Sequence, residues 1–223
     1  MNRKQTSVRI AGLLFLIQII TYIIGNQVFV SPVLYTPNFF EAIYQTADKL
    51  LIGAILEIVC GIAVVAISVL LYPTLRRYSE RIAIWYVGFR ISEFTIIIFS
   101  KIKMLSLIPL SKEYMNTEGV PNEYLTILGT SILSEHTIAV CMVMIIFCIG
   151  ATMFYYLLYR SKLIPRGISI WGLVGVLLVL IANIAQLSGI GLGMLIFVPM
   201  GLNELFLGFW LLLKGFHINT KKR

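Results

Sequence analysis

Residues 51–72 read LIGAILEIVCGIAVVAISVLLY, an apolar run with one charged side chain, Glu57. A helix of about 20 apolar residues spans the hydrocarbon core of a bilayer, so this run predicts a transmembrane helix. The whole chain has the same character, since 59% of its 223 residues are hydrophobic and 13% are charged. A soluble domain of this length needs much more polar surface. The composition therefore predicts an integral membrane protein and excludes an ordinary soluble one.

Similar apolar runs recur along the chain, and together they predict six transmembrane spans. The predicted spans cover residues 10–30, 51–72, 82–100, 132–159, 167–187 and 192–213. The connections are short, so we predict one all-α domain, residues 1–223, built as a bundle of six transmembrane helices. Within the first outer connection, apolar residues recur at helical spacing over residues 38–49, which predicts a short helix in the headgroup region.

The basic residues are distributed unevenly between the two sides of the predicted membrane. Four lysines lie in the connections of one side, Lys49, Lys101, Lys103 and Lys112. Thirteen of the eighteen Lys and Arg residues lie on the other side: Arg3, Lys4, Arg9, Arg76, Arg77, Arg81, Arg160, Lys162, Arg166, Lys214, Lys221, Lys222 and Arg223. This asymmetry is typical of the positive-inside rule and predicts that both termini are cytoplasmic.

The same asymmetry explains the net charge of +8, which in a soluble protein would suggest nucleic-acid binding. Here it indicates topology, and we predict the lipid bilayer as a partner and no nucleic acid. Lys101 and Lys103 directly follow the third predicted span. We expect both side chains to extend toward the outer lipid headgroups.

Ionisable side chains inside the spans are the strongest functional signal. Glu57, Arg90, Glu93 and Glu204 all lie within predicted spans. Such residues cost about 2.5–3.5 kcal/mol each on insertion scales, so they almost always face protein or a water-filled cavity. We therefore predict a polar site inside the bundle, in its middle and outer half, that opens toward the outside.

Small residues indicate which way two of the carboxylates point. Gly53 and Gly61 flank Glu57 at a spacing of four, and Gly201 and Gly208 flank Glu204 on one face of the sixth span. Stripes of small residues let membrane helices approach closely. We expect both carboxylates to face neighbouring helices rather than lipid.

Within the spans, three carboxylates stand against one fixed cation, Arg90. One acid can pair with Arg90, which leaves two without a partner. These can stay protonated, pair with a cationic His136, or hold a cation or cationic ligand. Two other interpretations stay open, namely an ionic network that only fixes helix packing and a catalytic centre.

Further polar side chains complete the candidate site. His136, Asn183 and Asn203 are candidate ligand-binding residues, and each has an alternative role as a hydrogen-bonding residue within the bundle. The three cysteines lie within spans and are expected to behave as small apolar residues. No zinc-binding, dinucleotide-binding or serine-hydrolase motif is present, so no cofactor is indicated and metal binding stays open.

Three stretches resemble a family of small bacterial membrane proteins that is catalogued only as a domain of unknown function. They are LLIGAILEIVCGIAVVAISVLLYPTLRRYSERIAIWYVGFRISEF (50–94), YRSKLIPR (159–166) and NELFLGFWLLLKGF (203–216). The resemblance implies six spans, a location in the bacterial cell membrane, and polar family positions at Glu57, Arg90, Glu93, Glu204 and His136. Thr137 stands where members carry an acidic residue, which weighs against a catalytic His136.

These observations favour a protein that binds or passes a cation, a proton or a small amine-bearing molecule. One alternative is a membrane enzyme that acts on a lipid-like substrate with a carboxylate as general acid or base. Another is a helper subunit that docks onto a larger membrane assembly. The sequence identifies neither the ligand nor a protein partner.

Overall fold

A computed structural model describes residues 3–116 and 123–217 of the chain. Part of the charge pattern used above lies outside the described residues, namely the side chains of Arg3 and Lys4 and the basic residues Lys221, Lys222 and Arg223. Over the described ranges the chain is helical, without a β-strand.

The chain forms eight α-helices, a π-helical segment and one 3-10 turn within the described ranges. In chain order these are α1 (Arg3–Ile23), the π-helical segment (Ile24–Val30), α2 (Ser31–Leu34), α3 (Phe39–Gln45), α4 (Ala47–Leu75), α5 (Glu80–Asn116), α6 (Glu123–Ser161), α7 (Arg166–Leu187), the 3-10 turn (Met194–Phe197) and α8 (Val198–Leu213). Six helical stretches are long and apolar enough to cross a membrane, which confirms the prediction of an all-α bundle with six spanning helices.

The helix bounds differ from the predicted spans at several ends. The third spanning helix, α5, runs to Asn116 although its span was predicted to end at residue 100. A short helix, α3, lies within the predicted range 38–49. The membrane limits of each helix, and the position of α3 among the headgroups, stay predictions.

The six long helices form a closed ring. Each packs against its predecessor and its successor in the order α1, α4, α5, α6, α7, α8, and α8 returns to pack against α1. Gln5 Nε2 donates a hydrogen bond of 2.8 Å to the carbonyl oxygen of Phe216, so the beginning of α1 and the residues after α8 meet at one end of the ring. We call this the terminus end and the opposite one the far end.

Two apolar clusters fill the ring, one toward each end. Tyr86 belongs to the cluster at the terminus end, and Met104 belongs to the cluster at the far end. Between these two residues α5 buries Arg90, Glu93 and Lys101. The charged side chains of α5 therefore lie in a layer between the two apolar clusters.

Close helix packing at the far end depends on glycine. A Cβ atom on Gly53 of α4 would lie 2.5 Å from Cγ2 of Val30 and 3.0 Å from the carbonyl oxygen of Gly25, both in the π-helical segment. About two helical turns further along α4, Gly61 lies against the ring of Phe94 in α5. The small-residue stripe around Glu57 is thus packed against neighbouring helices, as the sequence predicts.

The second small-residue stripe, on α8, is packed over only part of its length. Gly208 lies against the side chain of Leu16 in α1. A Cβ on Gly201 would have no heavy atom of another described residue within 4 Å. Gly201 therefore faces open space, and the close packing of this stripe is limited to Gly208.

Candidate functional site

Eight polar residues of four helices lie between the two apolar clusters, and we call these eight residues the polar layer. The layer consists of Glu57 and Cys60 of α4, Arg90, Glu93, Ser100 and Lys101 of α5, His136 of α6 and Glu204 of α8. All except Glu204 are buried. The layer contains the four ionisable residues of the predicted polar site, Glu57, Arg90, Glu93 and Glu204.

Glu57 is paired with a lysine that the sequence analysis assigned to the membrane surface. Lys101 Nζ lies 2.6 Å from Glu57 Oε2, and the two residues are only 2% and 6% exposed. The expectation that Lys101 extends to the headgroups is therefore wrong. Its helix continues for several turns beyond the predicted span, which places Lys101 inside the bundle, opposite Glu57.

The other carboxylate oxygen of Glu57 faces the π-helical segment. Asn26 Nδ2 lies 3.5 Å from Glu57 Oε1. Asn26 Oδ1 accepts hydrogen bonds from Gln27 Nε2 at 3.0 Å and from Ser31 Oγ at 3.1 Å, which leaves the amide NH₂ to face the carboxylate. π-Helical turns inside α-helices often occur at functional sites. Here the π-helical segment supplies a neutral donor to a buried acid.

Arg90 and Glu93 form a second ion pair, one turn apart on α5. Arg90 Nη1 lies 2.8 Å from Glu93 Oε2, and both residues are buried. The guanidinium carbon lies 5.3 Å from the ring centroid of Tyr86 and 5.0 Å from that of Phe147. Two aromatic rings and one carboxylate thus hold the cation in place by cation–π and charge-assisted contacts.

His136 links α6 to α5 at Ser100, the residue before Lys101. Its Nδ1 lies 2.9 Å from Ser100 Oγ and 3.0 Å from the carbonyl oxygen of Ser100. A carbonyl only accepts hydrogen bonds, so we assign the proton to Nδ1. His136 is 1% exposed, and this bonding matches the hydrogen-bonding alternative considered for it.

Glu204 differs from the other two acids. It is only partly buried, and no hydrogen bond or ion pair joins it to any residue in the ranges 3–116 and 123–217. Glu204 lies within electrostatic range of Arg90 and Glu93 on α5 and of Tyr155 on α6. Because α8 packs directly against α1 and α7, these partners lie across the ring, so Glu204 faces the ring interior.

The two candidate asparagines lie on α7 and α8. Asn203 Nδ2 donates a 3.0 Å hydrogen bond to the carbonyl oxygen of Ile168, which ties α8 to α7. Asn183 Nδ2 donates to the carbonyl oxygen of Val179 in its own helix, at 2.8 Å. Neither amide bonds to a carboxylate of the polar layer within the described chain, and their role in ligand binding stays a prediction.

The charge count of the layer therefore changes. The sequence predicts three carboxylates with Arg90 as their single fixed cation. This prediction is wrong, because Lys101 is a second cation buried in the layer. Two cations now stand against three acids, and each cation lies within 2.8 Å of one of them. One negative charge stays without a cationic partner among the described residues, that of Glu204.

Sequence reasoning missed Lys101 and Asn26 for different reasons. Lys101 follows Arg90 by eleven residues, close to three helical turns, so helical periodicity places both on one face. The predicted end of the span at residue 100 hid that signal. No pattern in the sequence marks Asn26, because its position depends on the π-helical segment.

Two surface clefts occur elsewhere on the described structure. The first lies between α5 and α6 and is lined by Ile96, Phe99, Glu135, Ile138, Ala139 and Met142. The second lies at the far end beside α3. Neither is lined by Glu57, Glu93 or Glu204, so the outward-opening pocket stays a prediction. In the described ranges no three His, Cys, Asp or Glu side chains are grouped so that they could hold a metal ion.

Comparison with known proteins places the chain in a family. The family model described as "Domain of unknown function (DUF4386)" matches residues 10–215. The chain belongs to this family, which agrees with the resemblance seen in the sequence. Comparisons with curated proteins and with solved structures give no match.

Proposed function

We propose that this DUF4386 protein binds a proton or a small singly charged cation at Glu204, inside the membrane-spanning bundle. One observation carries the proposal. Glu204 is the carboxylate of the polar layer that lacks a cationic partner within the described residues, while Glu57 and Glu93 each have one. An acid held in a low-dielectric interior is stabilised when it is protonated or when a cation lies beside it.

The charge balance supports a singly charged ligand. With Arg90 and Lys101 present, the layer has a surplus of one negative charge. A proton, an alkali-metal ion or a protonated amine neutralises that surplus. A divalent ion would reverse it, and calcium also requires six or more oxygen ligands.

The two ion pairs have different roles in this proposal. Glu57 and Lys101 join α4 to α5, so this pair can fix the packing of two helices. Arg90 and Glu93 lie three residues apart on the same helix, and their pair cannot lock one helix to another. It instead holds a guanidinium opposite Glu204, where its positive charge favours the ionised form of that acid and so permits reversible occupancy.

We also propose a location and an orientation for the protein. The six spanning helices contact the lipid bilayer. The family resemblance supports the bacterial cell membrane, and the basic residues at the terminus end support a cytoplasmic location for that end. In this orientation Glu204 lies between the terminus end and the pair formed by Glu57 and Lys101.

The test measures thermal unfolding of the protein in lipid nanodiscs. Wild type and Glu204→Gln are compared in sodium, potassium and methylammonium chloride at constant ionic strength, and across a pH series. We expect at least one of these cations, or a change of pH, to shift the Tm of wild type and not that of Glu204→Gln. Glu135→Gln, which alters a partly exposed acid of α6, is the matched control and should respond like wild type. Identical responses of wild type and Glu204→Gln would overturn the proposal.

A further inference from the structure

We propose that ordered water binds between α6, α7 and α8, beside Glu204, at the side chains of Tyr155, Ser169 and Asn203. We call these three residues the α7 polar group. The water site does not depend on the function proposed for Glu204. Its role as a route for protons to Glu204 does rest on that function.

The first observation is that three buried polar atoms lack a hydrogen-bond partner. Tyr155 OH, Ser169 Oγ and Asn203 Oδ1 have no hydrogen-bond partner in the described chain. The three residues are at most 1% exposed. The large majority of buried side-chain polar atoms in proteins have a partner, and ordered water supplies it where protein does not. Three such atoms in one region indicate a shared partner.

The second observation is that the helices bring these three side chains together. The ring of Tyr155 lies against Gly172 of α7, and Ser169 is one helical turn before Gly172 on the same helix. Asn203 of α8 bonds to the carbonyl oxygen of Ile168, which is next to Ser169. All three polar side chains therefore meet one short stretch of α7, near its first turns.

The chemistry of the group defines the ligand. It offers two hydroxyls, which both donate and accept, and one amide oxygen, which accepts; none of the three is charged. A small neutral molecule that both donates and accepts satisfies them, and water makes about three hydrogen bonds at such sites. Gly172 allows the ring of Tyr155 to lie directly against α7, because any side chain at this position would overlap the ring.

The position of the group gives the site a direction. Ser169 lies within one turn of the start of α7 at Arg166, close to the terminus end, and Asn203 directly precedes Glu204 on α8. Arg90 Nε, another buried atom without a partner in the described residues, lies in the same layer as Glu204. Water at the α7 polar group would lie between Glu204 and the first turns of α7, which begin toward the terminus end.

The test uses hydroxyl-radical footprinting of the full chain in lipid nanodiscs, with short X-ray pulses that generate radicals from bound water. We expect Tyr155 to be labelled severalfold faster than Phe15, an equally buried aromatic residue of the apolar cluster at the terminus end. Asn203→Leu removes the amide oxygen and should slow the labelling of Tyr155 severalfold. Ser169→Val is the second variant, in case Asn203→Leu does not fold. Ser68→Ala, which removes a buried hydroxyl that bonds within its own helix α4, is the control and should leave the labelling of Tyr155 unchanged.

Two outcomes would overturn the water site. One is labelling of Tyr155 in wild type that is no faster than that of Phe15. The other is fast labelling that neither Asn203→Leu nor Ser169→Val slows. The two proposals can fail separately. If cations and pH do not shift the Tm of wild type, the proposed function fails, but fast labelling of Tyr155 would still support the water site.

Discussion

Lys101 on α5 donates to Glu57 on α4 across 2.6 Å, and both side chains are buried in the ring of helices. This contact decides the charge balance of the polar layer, because it neutralises an acid that the sequence leaves unpaired. The pair of Lys101 and Glu57 can fix the packing of α4 against α5, whereas Glu204 carries the one charge of the layer without a cationic partner among the described residues.

Loss of the buried lysine should be strongly destabilising. Lys101→Met leaves Glu57 buried without its counter-charge, which costs about 3–5 kcal/mol of unfolding free energy. Lys103→Met, which breaks the partly exposed pair with Glu135, should cost less than about 1 kcal/mol. Reversible unfolding in mixed micelles measures both. Equal stability of the two variants would contradict the assignment of Lys101 to the interior.

The guanidinium of Arg90 should not be replaceable by an ammonium group. Arg90→Lys keeps the charge but loses the planar contact with the rings of Tyr86 and Phe147, so we expect a loss of about 1–3 kcal/mol. Arg166→Lys is the control, since Arg166 lies over the ring of Tyr159 at the exposed terminus end, where such contacts contribute at most about 1 kcal/mol. The same unfolding measurement compares them, and equal losses would count against a special role for Arg90.

Closure of the ring between α1 and α8 should depend on Gly12. A Cβ at this position would lie 2.5 Å from the backbone nitrogen of Leu212 and 2.8 Å from the carbonyl oxygen of Gly208. Gly12→Ala forces the two helices apart and should cost about 1–3 kcal/mol. Gly201→Ala meets open space and should be neutral or stabilising by up to about 1 kcal/mol. A neutral Gly12→Ala would mean that α1 and α8 do not pack as described.

The terminus end should face the cytoplasm. Lys162→Cys at the terminus end and Lys49→Cys at the far end place exposed thiols on opposite sides, while the native Cys60, Cys141 and Cys148 are buried. A membrane-impermeant maleimide added to intact cells should label the cysteine at position 49 and not the one at position 162. The reverse labelling pattern would invert the proposed orientation.

The sequence predicts the architecture well because its signal is local. Each apolar run is long enough to be recognised alone, and the pair of Arg90 and Glu93 follows from a spacing of three on one helix. The partner of Glu57 is not predictable in this way, since Lys101 lies forty-four residues away and beyond the predicted end of the third span at residue 100. Identification of Glu204 as the unpaired acid depends on knowing both pairs.

The π-helical segment shows a second limit. Residues 24–30 are mostly apolar and look like ordinary helix in sequence, yet the local winding aims Asn26 at Glu57. That winding accompanies the close approach of Gly25 and Gly53, which is a property of two helices together. The residue pattern of a single helix therefore does not predict the π-helical segment.

The most direct test of the central claim is infrared spectroscopy of the carboxyl groups in lipid. Wild type, Glu204→Gln, Glu57→Gln and Glu93→Gln are compared in buffer free of alkali-metal ions and amines, where a proton is the available ligand. The account predicts a carboxylic-acid stretching band in wild type that Glu204→Gln abolishes and the other two variants retain. A band that persists in Glu204→Gln, or a wild type without any such band, would contradict it.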